Sequence, residues 1–137
     1  EEINRVRRLA GLDIVQLHGN EPPEMMPLVG RAWKALRVDA GFTPARFEPY
    51  QAEAFVLDAA CDTYGGSGRS FDWNLARNAG RPVVLAGGLD ENNVRQAIRT
   101  VRPWGVDACS RLESAPGKKD HARMARFIKA ALEEETS

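Results

Sequence analysis

Only two cysteines, Cys61 and Cys109, occur in the 137 residues. That is too few for a disulfide framework, and they stand too far apart in sequence for a metal-ligand pattern. Net charge is absent too, since nineteen Lys and Arg balance nineteen Asp and Glu. A dedicated nucleic-acid binder usually carries a basic excess, so the balance argues against that class. No apolar run approaches the roughly 20 residues that span a bilayer. The opening Glu1-Glu2-Ile3-Asn4-Arg5 has neither the basic start nor the apolar stretch of a secretory signal. A reducing cytoplasm is the expected compartment. The chain also begins without methionine, inside a helical pattern, which leads us to expect an upstream segment. No strand-like run is followed by a Gly-x-Gly-x-x-Gly fingerprint or a Walker loop.

What the sequence does have is a regular beat. Apolar runs occur at Leu12–Leu17, Trp33–Val38, Ala54–Leu57, Pro82–Ala86 and Gly105–Ala108, most of them rich in bulky or β-branched residues. Their starts are about 21 to 28 residues apart, enough for one crossover helix each. Val94, Ala97, Ile98 and Val101 follow the i, i+3, i+4, i+7 rule, with Asp90 as a candidate N-cap and Pro103 as the stop. Met124, Phe127, Ile128, Ala131 and Leu132 repeat the rule in the last helix. Helix is also predicted over 2–10, from Pro22 to about Val29 ending at Gly30, and over 71–79 ending at Gly80. Between 39 and 53 the prolines Pro44 and Pro49 interrupt any helix.

Strands alternating with helices imply a parallel α/β sheet with right-handed crossovers. Either an open doubly wound sheet or an arc of a (β/α)8 barrel fits. Polar residues collect at the C-terminal ends of several strands: Gln16 and His18, Asp58, Gly87 and Gly88, Asp107 and Ser110. Contributions from several strands favour the barrel. Five units fall short of a closed barrel, so residues 1–137 read as a single partial barrel domain of about five βα units.

Asp58 ends an apolar strand, where a carboxyl suits general acid work, although a strand-end aspartate can equally cap the next loop. Gln16 and His18, two apart on one strand, point the same way and can meet a polar substrate; an isolated histidine is otherwise usually structural. Gly65-Gly66-Ser67-Gly68, running into Phe71-Asp72-Trp73, suits a lid or anion cradle, or simply a turn. Gly87-Gly88 and the stretch from Ser110 to Lys119 follow the last two strands, where barrels commonly build phosphate sites. Lys118 and Lys119 are placed at the start of the last helix, against its dipole, a conflict that a bound phosphate would relieve.

Taken in order, these pieces resemble the phosphoribosylanthranilate isomerase family of tryptophan biosynthesis. The carrying residues are Val15-Gln16-Leu17-His18-Gly19, Leu57-Asp58, Gly65-Gly66-Ser67-Gly68 with Phe71-Asp72-Trp73, Leu85-Ala86-Gly87-Gly88-Leu89 with Asn93-Val94, and Gly105-Val106-Asp107 with Glu113 through Asp120. The resemblance implies a (β/α)8 barrel whose fourth to eighth strands are those seen here. It implies an Amadori rearrangement of N-(5-phosphoribosyl)anthranilate, a small-molecule phosphoribosyl substrate, without metal or organic cofactor. Asp58 is then the general acid, Gln16, His18 and Asp107 line the substrate pocket, and Gly87, Gly88 and Ser110 hold the phosphate.

Two departures stand out. The family's general base, a cysteine in a Lys-Ile-Cys-Gly motif, and an arginine of its early loops have no counterpart here, so the isolated chain is expected to be nearly inactive. Cys109-Ser110-Arg111 stands where the family usually reads Ser-Ser-Gly. Arginine there would strain a positive φ by about 1 kcal/mol and impair phosphate binding, or else bind phosphate itself. The competing readings are a non-catalytic phosphosugar or anion binder and a partial barrel that self-associates, or is complemented, through its open edges.

Overall fold

The computed structural model describes residues 1–59 and 72–135. Five strands, β1 (Val15–Leu17), β2 (Ala32–Val38), β3 (Ala54–Ala59), β4 (Val83–Leu85) and β5 (Gly105–Val106), form one sheet in the order β1-β2-β3-β4-β5. Every pairing is parallel. Each strand is laid beside its predecessor with no reversal of direction along the sheet. A doubly wound sheet needs such a reversal, so the barrel-type winding is the one present.

The strands alternate cleanly between two faces. On one, Ala35, Val56, Val84 and Ala86 form a small cluster closed by Trp33. Small and β-branched side chains suit the crowded inner wall of a curved sheet. The other face is richer: Leu17, Leu36, Val38, Phe55, Leu57 and Leu85 pack against Met26, Val29, Val94, Ala97, Val101 and Phe127 from the helices. Phe55 is fully buried and stacks on Phe47 at 4.3 Å between ring centroids.

The first helix, α1 (Glu2–Ala10), ends at Gly11 in a left-handed conformation. The stretch after Pro22 forms a 3-10 turn (Pro23–Met25) and then α2 (Met26–Val29), ended by Gly30 as expected. α3 (Val94–Val101) buries the predicted apolar stripe and stops at Arg102, in a left-handed conformation, before Pro103. Asp90 caps the turn that leads into it: its Oδ1 accepts from the amides of Asn92 and Asn93, while Asn93 Oδ1 accepts from the Asp90 amide.

Two local expectations are corrected. The helix predicted over 71–79 is, within the described residues, only a 3-10 turn, Trp73–Ala76. The Asp72 carboxylate accepts from the Asn74 amide and tightens that turn, and left-handed residues at Asn78 and Gly80 end it. Lys118 and Lys119 do not open the last helix. They form β7 (Lys118–Lys119), antiparallel to β6 (Glu113–Ala115), and α4 (His121–Glu135) begins after them. Asp120 supplies the acidic N-cap, accepting from the Arg123 amide at 3.0 Å, so the dipole conflict does not arise. No described helix is long and apolar enough to cross a membrane.

Candidate active site

Parallel winding brings the C-terminal ends of all five strands to one rim, and a cavity of about 390 Å³ opens there. Gln16 and His18 reach it from the end of β1, Asp58 from β3, Gly87 and Gly88 from the loop after β4, and Asp107, Ser110 and Arg111 from the segment after β5. All eight residues selected from the sequence therefore line the same space. The Gly65–Gly68 loop lies outside the described residues.

The two titratable groups of the first and third strands meet. His18 Nε2 stands 3.6 Å from Asp58 Oδ2, with the imidazole more than half exposed and the carboxylate about one third exposed. Val56 and Ala86 form the apolar floor beneath them.

On the far side, Gly87 and Gly88 both adopt left-handed backbone conformations, at φ 75° and 68°. Glycine is the residue that takes this conformation without strain, and two in succession turn the chain sharply at the end of β4. Asn93 Nδ2 donates to the Gly88 carbonyl at 2.9 Å and steadies the turn. Ser110 opens a short 3-10 turn, Ser110–Leu112, whose side faces the glycine pair.

Arg111 sits in that turn. Among the described non-glycine residues positive φ occurs only at Asn78 and Arg102, so arginine at 111 carries none of the backbone strain anticipated for it. Its guanidinium lies along the glycine loop, with Nε 3.8 Å from where a Gly88 Cβ would be, and Nη1 donates to Asp90 Oδ2 at 3.1 Å. Asp90 thus ties the turn before α3, whose N-cap is Asn93 rather than the predicted Asp90, with one oxygen and holds Arg111 at the cavity edge with the other.

Lys119 is directed elsewhere. Its ammonium donates to Glu113 Oε1 and to the Cys109 carbonyl, both at 2.8 Å, and stands 3.2 Å from Cys109 Sγ. The Glu113 hydrogen bond, and then that of Cys109, raise the Lys119 pKa. Cys109 lines the cavity but lies past the end of β5 rather than within a strand.

One lining residue escaped the sequence reading. Arg37, at the end of β2, borders the cavity and is the register partner of Asp58. The alternation Trp33, Ala35, Arg37 places it on the inner face by the rule that selected Gln16 and Asp58. Lys34, of opposite parity in the same run, obscured which face was polar. Among the described residues no carboxylate pairs with the Arg37 side chain.

A parallel sheet wound in barrel order, with charged and glycine-rich loops gathered at the C-terminal rim, defines the (β/α)8-barrel class, whose active sites stand at that rim. The family model for N-(5'phosphoribosyl)anthranilate (PRA) isomerase matches residues 1–130, and the chain belongs to this family. It is 47% identical over 130 residues to the N-(5'-phosphoribosyl)anthranilate isomerase of Solibacter usitatus, covering 94% of this chain and 65% of that relative. The crystal structure of phosphoribosyl anthranilate isomerase from Thermotoga maritima superposes with a TM-score of 0.80 at 38% identity, over 96% of this chain and 67% of that one. Another similar structure, at 35% identity and a TM-score of 0.76, covers 96% of this chain and 65% of its own. It is a phosphoribosyl anthranilate isomerase in complex with reduced 1-(o-carboxyphenylamino)-1-deoxyribulose 5-phosphate. This chain thus spans just under two thirds of the length of the Solibacter relative.

Proposed function

We propose that the rim cavity binds N-(5'-phosphoribosyl)anthranilate and contributes the acid and phosphate-binding parts of its isomerisation. The observation that carries this reading is the convergence of Gln16, His18, Asp58, Gly87, Gly88, Asp107, Ser110 and Arg111 on one cavity in a chain of this family. Asp58, protonated, gives its proton to the furanose ring oxygen as the C1–O bond breaks, leaving a Schiff base between C1 and the anthranilate nitrogen. A general base then removes the C2 proton, and the resulting enolamine tautomerises to the ketone. His18, beside Asp58, meets the ring hydroxyls, and Gln16 and Asp107 bind the sugar. Backbone groups at Gly87 and Gly88, the Ser110 hydroxyl and the Arg111 guanidinium hold the phosphate. The steps are proton transfers and call on no cofactor.

The family's Lys-Ile-Cys-Gly base motif does not occur in the 137 residues. Loss of a general base typically lowers turnover by about 10²- to 10⁴-fold, so the chain alone is expected to be slow by that factor. The deciding experiment follows the fluorescence of N-(5'-phosphoribosyl)anthranilate with this chain alone, and again with a polypeptide carrying the base motif and complementary βα units. Turnover appearing on complementation supports the proposal. A folded complex that binds the reduced product analogue without turnover would instead make this a non-catalytic phosphosugar binder.

A second reading concerns association. Beside the edge strand β1, a groove of about 460 Å³ lined by Ile3, Val6, Leu12, Ile14 and Leu17 is open, and Val6, Leu9 and Leu12 are each about half or more exposed. An unpaired strand next to apolar surface invites pairing. Sedimentation equilibrium is expected to show concentration-dependent size, and a clean monomer would count against this reading.

A further inference from the structure

Among the described residues Lys34 is the one charged side chain that is almost wholly buried, at 1% exposure. It leaves β2 on the face opposite the cavity, alternating with inward-facing Trp33 and Ala35. Its ammonium donates to the Gly19 carbonyl and to Glu21 Oε2, both at 2.6 Å, and lies 5.6 Å from the centre of the Tyr50 ring. Both oxygens of Glu21 in turn accept from the Gly19 amide at 2.9 Å. Both backbone groups of Gly19 are therefore tied to one ion pair. A Cβ at position 19 would stand 2.9 Å from Glu21 Oε1, so a side chain there would push the carboxylate back from that amide.

Gly19 directly follows His18. The imidazole cannot fix its own direction, because it is more than half exposed and its contact with Asp58, at 3.6 Å, is longer than a hydrogen bond. Its aim is set by the backbone that carries it. Nor is the buried lysine explained by stability alone, since a desolvated charge and its partner are often matched or bettered by apolar residues of similar volume.

We propose that Lys34 and Glu21 are positioning residues: their ion pair, with the lysine buried and the glutamate partly exposed, locks the Gly19 peptide and so aims His18 at Asp58 and at the bound sugar. The proposal rests on reading the cavity as the isomerase site. It assigns a task to two residues that do not line the cavity, Lys34 on the opposite face of the sheet and Glu21 in the segment after β1.

The test uses the full chain with Lys34→Met, Glu21→Gln and the uncharged double variant K34M/E21Q. Should a single variant fold poorly, the double variant buries no lone charge and gives the same comparison. Calorimetry reads the affinity for two ligands, inorganic phosphate and reduced 1-(o-carboxyphenylamino)-1-deoxyribulose 5-phosphate. Hydrogen exchange reads the Gly19 amide. Affinity for the reduced product analogue is expected to fall by about tenfold or more, as for other small misplacements of a site group. Phosphate affinity, set by the distant glycine loop, should be unchanged, and Gly19 exchange should quicken. Equal weakening of both ligands would mean a general loss of structure and would overturn the proposal. Parental analogue affinity in the double variant would overturn it as well. If the unsubstituted chain fails to bind the analogue, the isomerase reading falls first, and this proposal with it.

Discussion

Asp58 Oδ2 lies 3.6 Å from His18 Nε2, so the ends of β3 and β1 meet although β2 runs between them. Between them β2 presents Ala35 and, level with Asp58, Arg37 on the same face. The pair joins a carboxyl able to lose a proton to a ring able to accept or donate a hydrogen bond.

Asp58→Asn should separate acid catalysis from binding. The amide keeps the shape and polarity of the carboxyl but has no proton to deliver to a ring oxygen. Turnover in the complemented enzyme is expected to fall by about 10²- to 10⁴-fold. Affinity for inorganic phosphate, measured by calorimetry, should be unchanged.

Arg111 is held at the glycine loop by Asp90, and its guanidinium is partly exposed. Arg111→Ala is expected to weaken phosphate binding by about three- to tenfold, a value discounted for solvent screening. The salt dependence of binding should fall as well. Arg111→Gly, which restores the residue usual in the family, tests the opposite idea that the side chain hinders phosphate. Tighter binding by that variant would show that Arg111 obstructs the site.

Among the described residues Arg37 and Arg111 are the two guanidinium groups on the cavity wall, and the proposed substrate bears two anions, a phosphate and a carboxylate. With Arg111 assigned to phosphate, Arg37 is expected to face the carboxylate. Arg37→Gln should weaken binding of the reduced product analogue by about tenfold while sparing inorganic phosphate. An equal effect on both would place Arg37 in general electrostatic attraction only.

Acid should loosen the Gly19 clamp. Burial works to raise the Glu21 carboxyl, but hydrogen bonds from Lys34 and from backbone amides outweigh it, and the folded pKa lies below the ordinary one. The Glu113 carboxyl is lowered by Lys119 and then by the Gly117 amide. At acid pH the unfolded chain therefore binds more protons than the folded one. The stabilisation is complete above the ordinary glutamate range and is lost as pH falls through the lowered folded values. The urea midpoint is expected to be flat between about pH 6 and 8 and to drop below about pH 4.5, and Glu21→Gln should flatten part of that acid limb.

Much of this was legible in the chain. The five apolar runs became five parallel strands because short β-branched segments separated by helix-length intervals have few other ways to bury both faces. Strand-end polarity located Gln16, His18, Asp58 and Asp107 because alternation and direction are local properties. The last hairpin was misread, since Lys118 and Lys119 take their place from a partner strand rather than from their neighbours in sequence. Arg37 was missed because local pattern alone did not tell the two faces of β2 apart.

The sequence by itself determined the beat of strands and helices, the family, and which residues stand at the strand ends, all of which follow from periodicity and motif. Tertiary structure alone decided that Arg111 is free of backbone strain and turned towards Asp90, that Lys119 serves Glu113 rather than an open helix end, and that Lys34 reaches through the core to Gly19. The Arg111–Asp90 and Lys34–Gly19 contacts join residues distant in sequence, and the Lys119–Glu113 pair forms only when its hairpin closes. Such contacts are selected by the packing and charge of the folded interior, which no local pattern encodes.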